Sequence, residues 1–181
     1  LIHWPDTEHC APFDETMRAL EELVQAGKLR YIGVSNFSQE QITEIQKFGQ
    51  IVAIEPPYSM VNRSQEALMQ WCAGRGIGTM TYGSLGAGIL TGAYRTLPKF
   101  EPKFSRIQKL LLVMDDIAKA HHATPAQVAV NWNAQKPFVT TSLCGVRSEH
   151  HAIEDCMGFE WSLTDQEMQC LDAAIGEYIP E

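Results

Sequence analysis

Short apolar runs alternate with amphipathic stretches along this chain. The apolar runs are LIHW at 1–4, YIGVS at 31–35, IVAIE at 51–55, IGTMTY at 77–82 and FVTTSLCG at 138–145. Aliphatic and β-branched runs of this length predict strands that are buried on both faces. At least one stretch with helical spacing follows each run, so the pattern predicts an α/β fold with five parallel strands.

The polar residues between these runs predict where the helices begin and end. Ser38 with Gln41, Thr124 with Gln127 and Thr164 with Glu167 have the spacing of capping boxes, Ser64 is a candidate N-cap, and Gly27 is placed to end the first helix. The predicted helices cover Phe13–Ala26, the stretches after Ser38 and Ser64, Ser105 to about His122, the stretch after Thr124, Ser148–Cys156 and Thr164–Ile175.

Polar side chains collect where the predicted strands end. His3, Ser35 with Asn36, Glu55, Tyr82, and Arg147 with Ser148 all lie at or just beyond a carboxyl end. In a (β/α)₈ barrel that edge is the active-site face. An open doubly wound sheet is the generic alternative, but GSLGAG at 83–88 lacks the G-x-G-x-x-G spacing of a dinucleotide fingerprint.

Composition narrows the class of protein. We treat residues 1–181 as a single domain, because 181 residues with 45% hydrophobic content suffice for one core. A net charge of −8 argues against nucleic acid or an anionic membrane as the main partner. The sequence shows no membrane span or signal peptide, and its five scattered cysteines fit free thiols, so we expect a cytoplasmic location. The junction of LPKF and EPKF suggests a missing loop near 100–101.

Several longer motifs resemble the aldo-keto reductase family, specifically its carboxyl-terminal part. They are LIHWPD, ETMRALEELVQAGKLRYIGVSNFS, PPYSMVNR, GIGTMTYGSLGAGILTG, TPAQVAVNW and GVRS followed by Ile153-Glu154-Asp155, in family order over nearly all 181 residues. The resemblance implies a partial (β/α)₈ barrel, strands four to eight, with about five βα units. It also implies an oxidoreductase that uses NADPH to reduce a small aldehyde or ketone to an alcohol.

The resemblance also assigns roles to individual residues. His3 matches the catalytic histidine that orients the substrate carbonyl, where an N–H donor gains strength as negative charge develops. Ser35 and Asn36 match the pair that binds the nicotinamide carboxamide, and Tyr82 matches the aromatic residue that stacks on the nicotinamide ring. The remaining cofactor contacts are the pyrophosphate loop of Gly83, Ser84, Leu85 and Gly86, the adenosine segment of Gly145, Val146, Arg147 and Ser148, and finally His151, Glu154 and Asp155. Arg147 is the candidate for a ribose 2′-phosphate.

Two departures from the family pattern change the expectation. Glu55 stands where the family usually has a glutamine, and a carboxylate can accept from the carboxamide but cannot donate to it. Its charge would also favour the oxidised, cationic nicotinamide. The family's catalytic tyrosine, aspartate and lysine belong to the first three strands, and none of Tyr31, Tyr58, Tyr94 or Tyr178 matches the tyrosine. We therefore expect no turnover by this chain alone.

Plainer interpretations stay open for each feature. His3 and Tyr82 are also compatible with core packing, Ser35 and Asn36 with helix capping, GSLGAG with a simple turn and Arg147 with an ordinary surface charge. His3, Asp6, His9 and Cys10 are all zinc-ligand types, but their spacing matches no common zinc pattern, so we predict no metal site. The functional alternatives are a nucleotide-binding regulatory module similar to potassium-channel β subunits and a metal-dependent barrel hydrolase. Open barrel edges would favour self-association.

Overall fold

The computed structural model describes residues 1–6, 11–95 and 103–180. The suspected loop near 100–101 therefore lies outside the described residues. The chain forms two compact units, Leu1–Pro56 with Glu66–Met80, and Pro57–Gln65 with Thr81–Glu181. Among the described residues, no helix combines the length and the apolar character that crossing a membrane requires.

The described residues of the first unit form three helices and three strands. They are α1 (Phe13–Gln25), β1 (Gly33–Ser35), α2 (Gln39–Ile45), β2 (Ala53–Glu55), α3 (Glu66–Ala73) and β3 (Gly78–Thr81), of which the last residue belongs to the second unit. β1 pairs in parallel with β2, and β2 pairs in parallel with β3. Met17, Val34, Ile42 and Ile45 are fully buried in the core.

The second unit is mostly helical. A 3₁₀ helix (Gly86–Thr91) follows β3, and then come α4 (Lys103–Ala120), α5 (Pro125–Ala134), β4 (Thr141–Ser142), α6 (Glu149–Met157) and α7 (Asp165–Tyr178). Within this unit, Leu143 N–H, directly after β4, donates to Thr81 O at 2.8 Å. α4 packs against both α5 and α7. Every residue of α5 from Ala126 to Asn133 is buried, so this helix forms the centre of the unit.

The helix signals in the sequence were accurate. The structure confirms the capping boxes of α2, α5 and α7. Gly27 has φ 69° at the end of α1, and Lys28 N–H donates to Leu23 O, as in a Schellman ending. One cap prediction was wrong: α3 begins at Glu66, and the hydroxyl of Ser64 donates to Asn62 Oδ1 instead.

The strands are shorter than the apolar runs predict. LIHW contributes a single parallel bridge, Ile2 to Val34, in which Ile2 N–H donates to Gly33 O and Ser35 N–H donates to Ile2 O. The run at 138–145 yields only the two residues of β4. Its first part is still in the turn after α5, because Val139 N–H donates to Lys136 O. The parallel α/β class is confirmed, and among the described residues the run LIHW contributes a bridge where a fifth strand was predicted.

Glu167 connects the start of α7 to the end of α4. Its Oε2 accepts from the Thr164 N–H at 2.8 Å and from the Thr164 hydroxyl at 2.8 Å, which completes the capping box. Its Oε1 is 2.7 Å from Nε2 of His121, whose ring stacks on Trp161. Partial burial alone would raise the pKa of Glu167, but the bonds from Thr164 and His121 outweigh it and lower the pKa.

Candidate active site

The carboxyl end of β1 brings four predicted site residues together in the first unit. Ser35 is buried, and its hydroxyl donates to the backbone carbonyl of Glu55 at 2.8 Å. Asn36 has φ 61°, a left-handed conformation that asparagine tolerates better than most residues. From there its Nδ2 donates to His3 O at 3.0 Å and to Ser35 Oγ at 3.0 Å. Neither residue caps a helix, because Ser38 has that role.

His3 follows directly on the Ile2 bridge. Its backbone is held by Asn36, whereas its side chain is exposed, which excludes the interpretation as a core histidine. The exposed ring of Trp4 lies beside it, with 5.8 Å between the ring centroids. The histidine side chain is therefore presented to solvent at the carboxyl edge of the sheet, next to an aromatic surface.

Only part of the zinc interpretation of this segment falls on described residues. Asp6 is described, whereas His9 and Cys10 lie outside the described residues. Within residues 1–6, 11–95 and 103–180, no group of three or more histidine, cysteine or acidic side chains is arranged to hold a metal ion.

The carboxyl end of β3 belongs to the second unit and leads into the glycine-rich loop. Tyr82 forms a parallel bridge with Pro57, and its carbonyl accepts from Tyr58 N–H at 3.0 Å. Its side chain is half-buried, so it is not a plain core residue. The backbone therefore fixes Tyr82 while part of the ring stays accessible.

The loop 83–86 is a tight turn with restricted residue types. Gly83 has φ 70° and Gly86 has φ 56°, and Gly86 N–H donates to Gly83 O at 2.8 Å. A Cβ on Gly86 would approach Val61 Cγ2 to 2.8 Å, so only glycine fits there. Ser84 is buried, and its hydroxyl is 2.7 Å from Ser142 Oγ. Half-buried Leu85 directly precedes the 3₁₀ helix.

The segment after β4 is more exposed than the other strand ends. Gly145, Val146, Arg147 and Ser148 are all exposed. Ser148 is the N-cap of α6, where its hydroxyl accepts from the His151 N–H at 3.2 Å. Arg147 thus presents its guanidinium to solvent one residue before the cap of a helix.

One carboxylate oxygen on α6 is buried. Asp155 Oδ2 is enclosed and has no hydrogen-bond partner among the described residues. Burial raises the pKa of the Asp155 carboxyl, the charge of Glu154 raises it further, and His151 opposes the shift. The helix is anchored to α5, because Gln127 Nε2 donates to the carbonyl of Glu154 at 2.8 Å.

Cysteine chemistry is not supported at this end of the site. Burial, with a contribution from Asp155, raises the pKa of the Cys144 thiol to about 11. A thiol is a poor nucleophile when it stays protonated at neutral pH. The cysteines in the described part of the chain, Cys72, Cys144, Cys156 and Cys170, are free, and Cys10 lies outside it.

A shallow groove on the first unit does not coincide with any of these residues. It has a volume of about 510 Å³ and is lined by residues of α1 and the loop after α2, namely Asp14, Arg18, Glu21, Glu22, Gln25 and Phe48. None of them is a predicted site residue, so the candidate site is defined by the strand ends and not by a closed cavity.

Comparison with known proteins identifies the family. The model of the aldo/keto reductase family matches residues 1–175. The chain belongs to this family. Aldo-keto reductase YhdN of Bacillus subtilis is 29% identical over 99% of this chain and 58% of its own length. Glyoxal reductase of the same organism is 30% identical over 96% of this chain and 55% of its own length.

Solved structures agree with this assignment. Glycerol dehydrogenase of Gluconobacter oxydans has a TM-score of 0.88 and 30% identity, over 99% of this chain and 58% of that one. These structural neighbours confirm the predicted α/β class and part of a (β/α)₈ barrel for this aldo/keto reductase chain. The chain spans little more than half the length of the relatives it matches.

Three residues that support the candidate site through hydrogen bonds were not predicted from the sequence. Thr81 and Asn133 are fully buried and bonded to each other, and Ser142 holds Ser84. One signal was available: Asn131 and Asn133 interrupt the apolar stretch of α5, and a buried asparagine needs partners. The sequence offered no comparable signal for Ser142.

Proposed function

We propose that this chain supplies the cofactor-binding part and the carbonyl-orienting histidine of an NADPH-dependent reductase of aldehydes or ketones. The single observation that carries the proposal is the arrangement at the end of β1. There Asn36, in a left-handed conformation, bonds both His3 and Ser35. It joins the residue assigned to the substrate to the pair assigned to the nicotinamide.

In this proposal each strand end contacts a different part of the cofactor. Ser35 and Asn36 bind the carboxamide, and Tyr82 stacks on the nicotinamide ring. Both hydrogens of Asn36 Nδ2 are donated within the protein, to His3 O and Ser35 Oγ, so the side chain is held in place beside the proposed carboxamide site. Glu55 is an acceptor, and its negative charge favours the oxidised nicotinamide.

The phosphates and the adenosine are assigned to the second unit. Gly83, Ser84, Leu85 and Gly86 bind the pyrophosphate through the backbone, and Gly83, where no described atom lies within 4 Å of a Cβ position, leaves room for this close approach. Gly145, Val146, Arg147 and Ser148 contact the adenosine ribose, with Arg147 on the 2′-phosphate. His151, Glu154 and Asp155 complete the adenine end, where the unpartnered Oδ2 of Asp155 is suited to accept from an amino group.

When bound, the reduced nicotinamide supplies a hydride to the carbonyl carbon of the substrate. His3 then donates an imidazole N–H to the carbonyl oxygen, where negative charge develops, and so stabilises the transition state. Trp4 gives the substrate an apolar wall. The proton donor is the family's tyrosine, which none of the tyrosines in this chain matches, so we expect binding of NADPH without turnover by the 181-residue chain.

Arg147 provides the test of this proposal. Arg147→Ala should weaken NADPH binding by about tenfold or more, because a charge-assisted bond to the 2′-phosphate is lost, and should leave NADH binding unchanged. Quenching or enhancement of the cofactor fluorescence during titration measures both affinities. Arg106→Ala, an exposed arginine on α4, is the matched control. Equal losses for the two cofactors would show that Arg147 does not recognise the phosphate, and no binding of either would contradict the proposal as a whole.

A further inference from the structure

α5 carries two buried asparagines that bond to different parts of the second unit. Asn133 is fully buried, and its amide is used in both directions: Nδ2 donates to Tyr58 O at 2.8 Å, and Oδ1 accepts from Thr81 Oγ1 at 2.7 Å. Thr81 is also fully buried, so water does not substitute for either partner. One amide therefore joins the end of β3 to the segment that contains Tyr58.

Both partners of Asn133 are direct neighbours of Tyr82. Thr81 precedes it in the chain, and Tyr58 N–H donates to Tyr82 O at 3.0 Å. On the other side, Leu143 N–H donates to Thr81 O at 2.8 Å. The ring of Tyr58 is packed against Trp132, the residue before Asn133, with 5.5 Å between centroids. Asn133 and its helix thus hold the two segments between which the Tyr82 backbone is fixed.

We propose that Asn133 is a positioning residue for the nicotinamide and pyrophosphate end of the cofactor. It acts through Thr81 and Tyr58, which set the position of Tyr82 and of the loop that begins at Gly83. Loss of the Asn133 amide removes a buried donor from the Tyr58 carbonyl and the 2.7 Å acceptor from the Thr81 hydroxyl, whose contact with Thr141 O is longer, at 3.4 Å, so the bonds that join the two segments through Asn133 are lost. This inference rests on the proposed function, because it assumes that Tyr82 contacts the nicotinamide.

Asn131 provides a matched control on the same helix. It is also buried, and its Nδ2 donates to Gly158 O at 3.0 Å and to Trp161 O at 2.8 Å, while its Oδ1 accepts from Leu163 N–H. These bonds hold the connection between α6 and α7 and do not involve Thr81 or Tyr58. The two asparagines share type, burial and helix, and they differ in the segment they hold.

The test compares Asn133→Ala with Asn131→Ala in the whole chain, using two ligands. NADPH reaches both ends of the proposed site, whereas 2′,5′-ADP reaches only the adenosine end. We expect both variants to lose thermal stability to a similar extent. Only Asn133→Ala should weaken NADPH, by about tenfold, while its affinity for 2′,5′-ADP stays within about twofold of wild type. Equal weakening of both ligands, or the same NADPH loss in Asn131→Ala, would overturn the proposal.

Two more conservative substitutions test the same proposal if the Asn133→Ala variant does not fold. Thr81→Val removes the hydroxyl that Asn133 accepts from and keeps the shape, and Thr81→Ser keeps the hydroxyl. The valine variant should reproduce the NADPH-specific loss, and the serine variant should bind NADPH like wild type. A valine variant with wild-type NADPH affinity would contradict the proposal.

Hydrogen exchange separates this inference from the proposed function. Without any ligand, the amides of residues 82–86 should exchange faster in Asn133→Ala and in Thr81→Val than in wild type, and Asn131→Ala should leave them unchanged. If wild type binds neither NADPH nor 2′,5′-ADP, the proposed function fails and the positioning role for a cofactor fails with it. If wild type binds both and exchange at 82–86 does not respond to Asn133, only the positioning inference is wrong.

Discussion

The end of β1 and the segment after β4 resemble binding elements of the same cofactor, yet they are built differently. At the end of β1, Ser35 is buried and Asn36 is locked by two side-chain hydrogen bonds. Residues 145–148 are all exposed, and the hydroxyl of Ser148 accepts from His151 N–H as the cap of α6. The end of β1 is therefore preorganised before a ligand binds. The side chains of residues 145–148 contribute little to the stability of the fold. Substitutions in the first should therefore affect stability, and substitutions in the second should affect affinity.

The largest effect on stability is expected at Asn36. Asn36→Val should cost about 2 to 4 kcal/mol, because a β-branched residue is strained at φ 61° and two hydrogen bonds are lost. Asn36→Gly loses the same bonds without the strain and should cost less. Urea unfolding measures both. A valine variant that is as stable as the glycine variant would show that the backbone conformation does not constrain this position.

Two serine-to-alanine changes compare the regions directly. Ser35→Ala should cost about 1 to 2 kcal/mol, since the Glu55 carbonyl loses its donor and Asn36 loses an acceptor. Ser148→Ala removes an exposed helix cap and should cost about 0.5 to 1 kcal/mol. Denaturant midpoints at equal slopes give the comparison. The reverse order would contradict the difference in preorganisation between the two regions.

The smallest change in the free energy of unfolding is expected at Asp155, where the substitution should stabilise the chain and not destabilise it. Its raised pKa means that the folded state disfavours the carboxylate, and this cost is fully present above the folded pKa and absent below the ordinary value of 3.8. Asp155→Asn should therefore stabilise the chain by up to about 1 kcal/mol at pH 7. The gain should shrink as the pH falls through the raised pKa.

Thermal unfolding between pH 7 and pH 4.5 measures this dependence. Asp116→Asn, an exposed aspartate on α4, is the control and should change little at any pH. A stabilisation by Asp155→Asn that does not change with pH would show that the buried oxygen is not the cause. In that case α6 would no longer differ from an ordinary surface helix.

Helix termini were predictable because the residues that satisfy them are local. The boxes at Ser38, Thr124 and Thr164 formed as their three-residue spacing indicates. Ser64 is not the cap because α3 begins two residues after it, at Glu66, and both its backbone N–H and its hydroxyl donate to Asn62 Oδ1. Local spacing does not reveal which of two nearby polar partners a serine will choose, and it does not set the length of a strand, which depends on neighbours that are distant in the chain.

The residues assigned to the candidate site stay predictions, and the hydrogen bonds that support them were not predicted from the sequence. The order of motifs pointed to His3, Asn36 and Tyr82, and their roles stay predictions. The bonds that hold them, from Asn36 to His3 and from Asn133 to Thr81, join residues 33 and 52 positions apart. Such pairs are fixed by the folded topology, so no pattern along the chain indicates them.

The two oxygens of Glu167 have a consequence for how the second unit opens. One oxygen starts α7 through Thr164, and the other attaches it to His121 beside α4. Formation of the helix and its docking therefore share one side chain. A local fluctuation that releases Glu167 exposes the first turn of α7 and its contact with His121 in the same event. The amides of that turn should therefore exchange as one cooperative group with those at the end of α4, and not by gradual fraying.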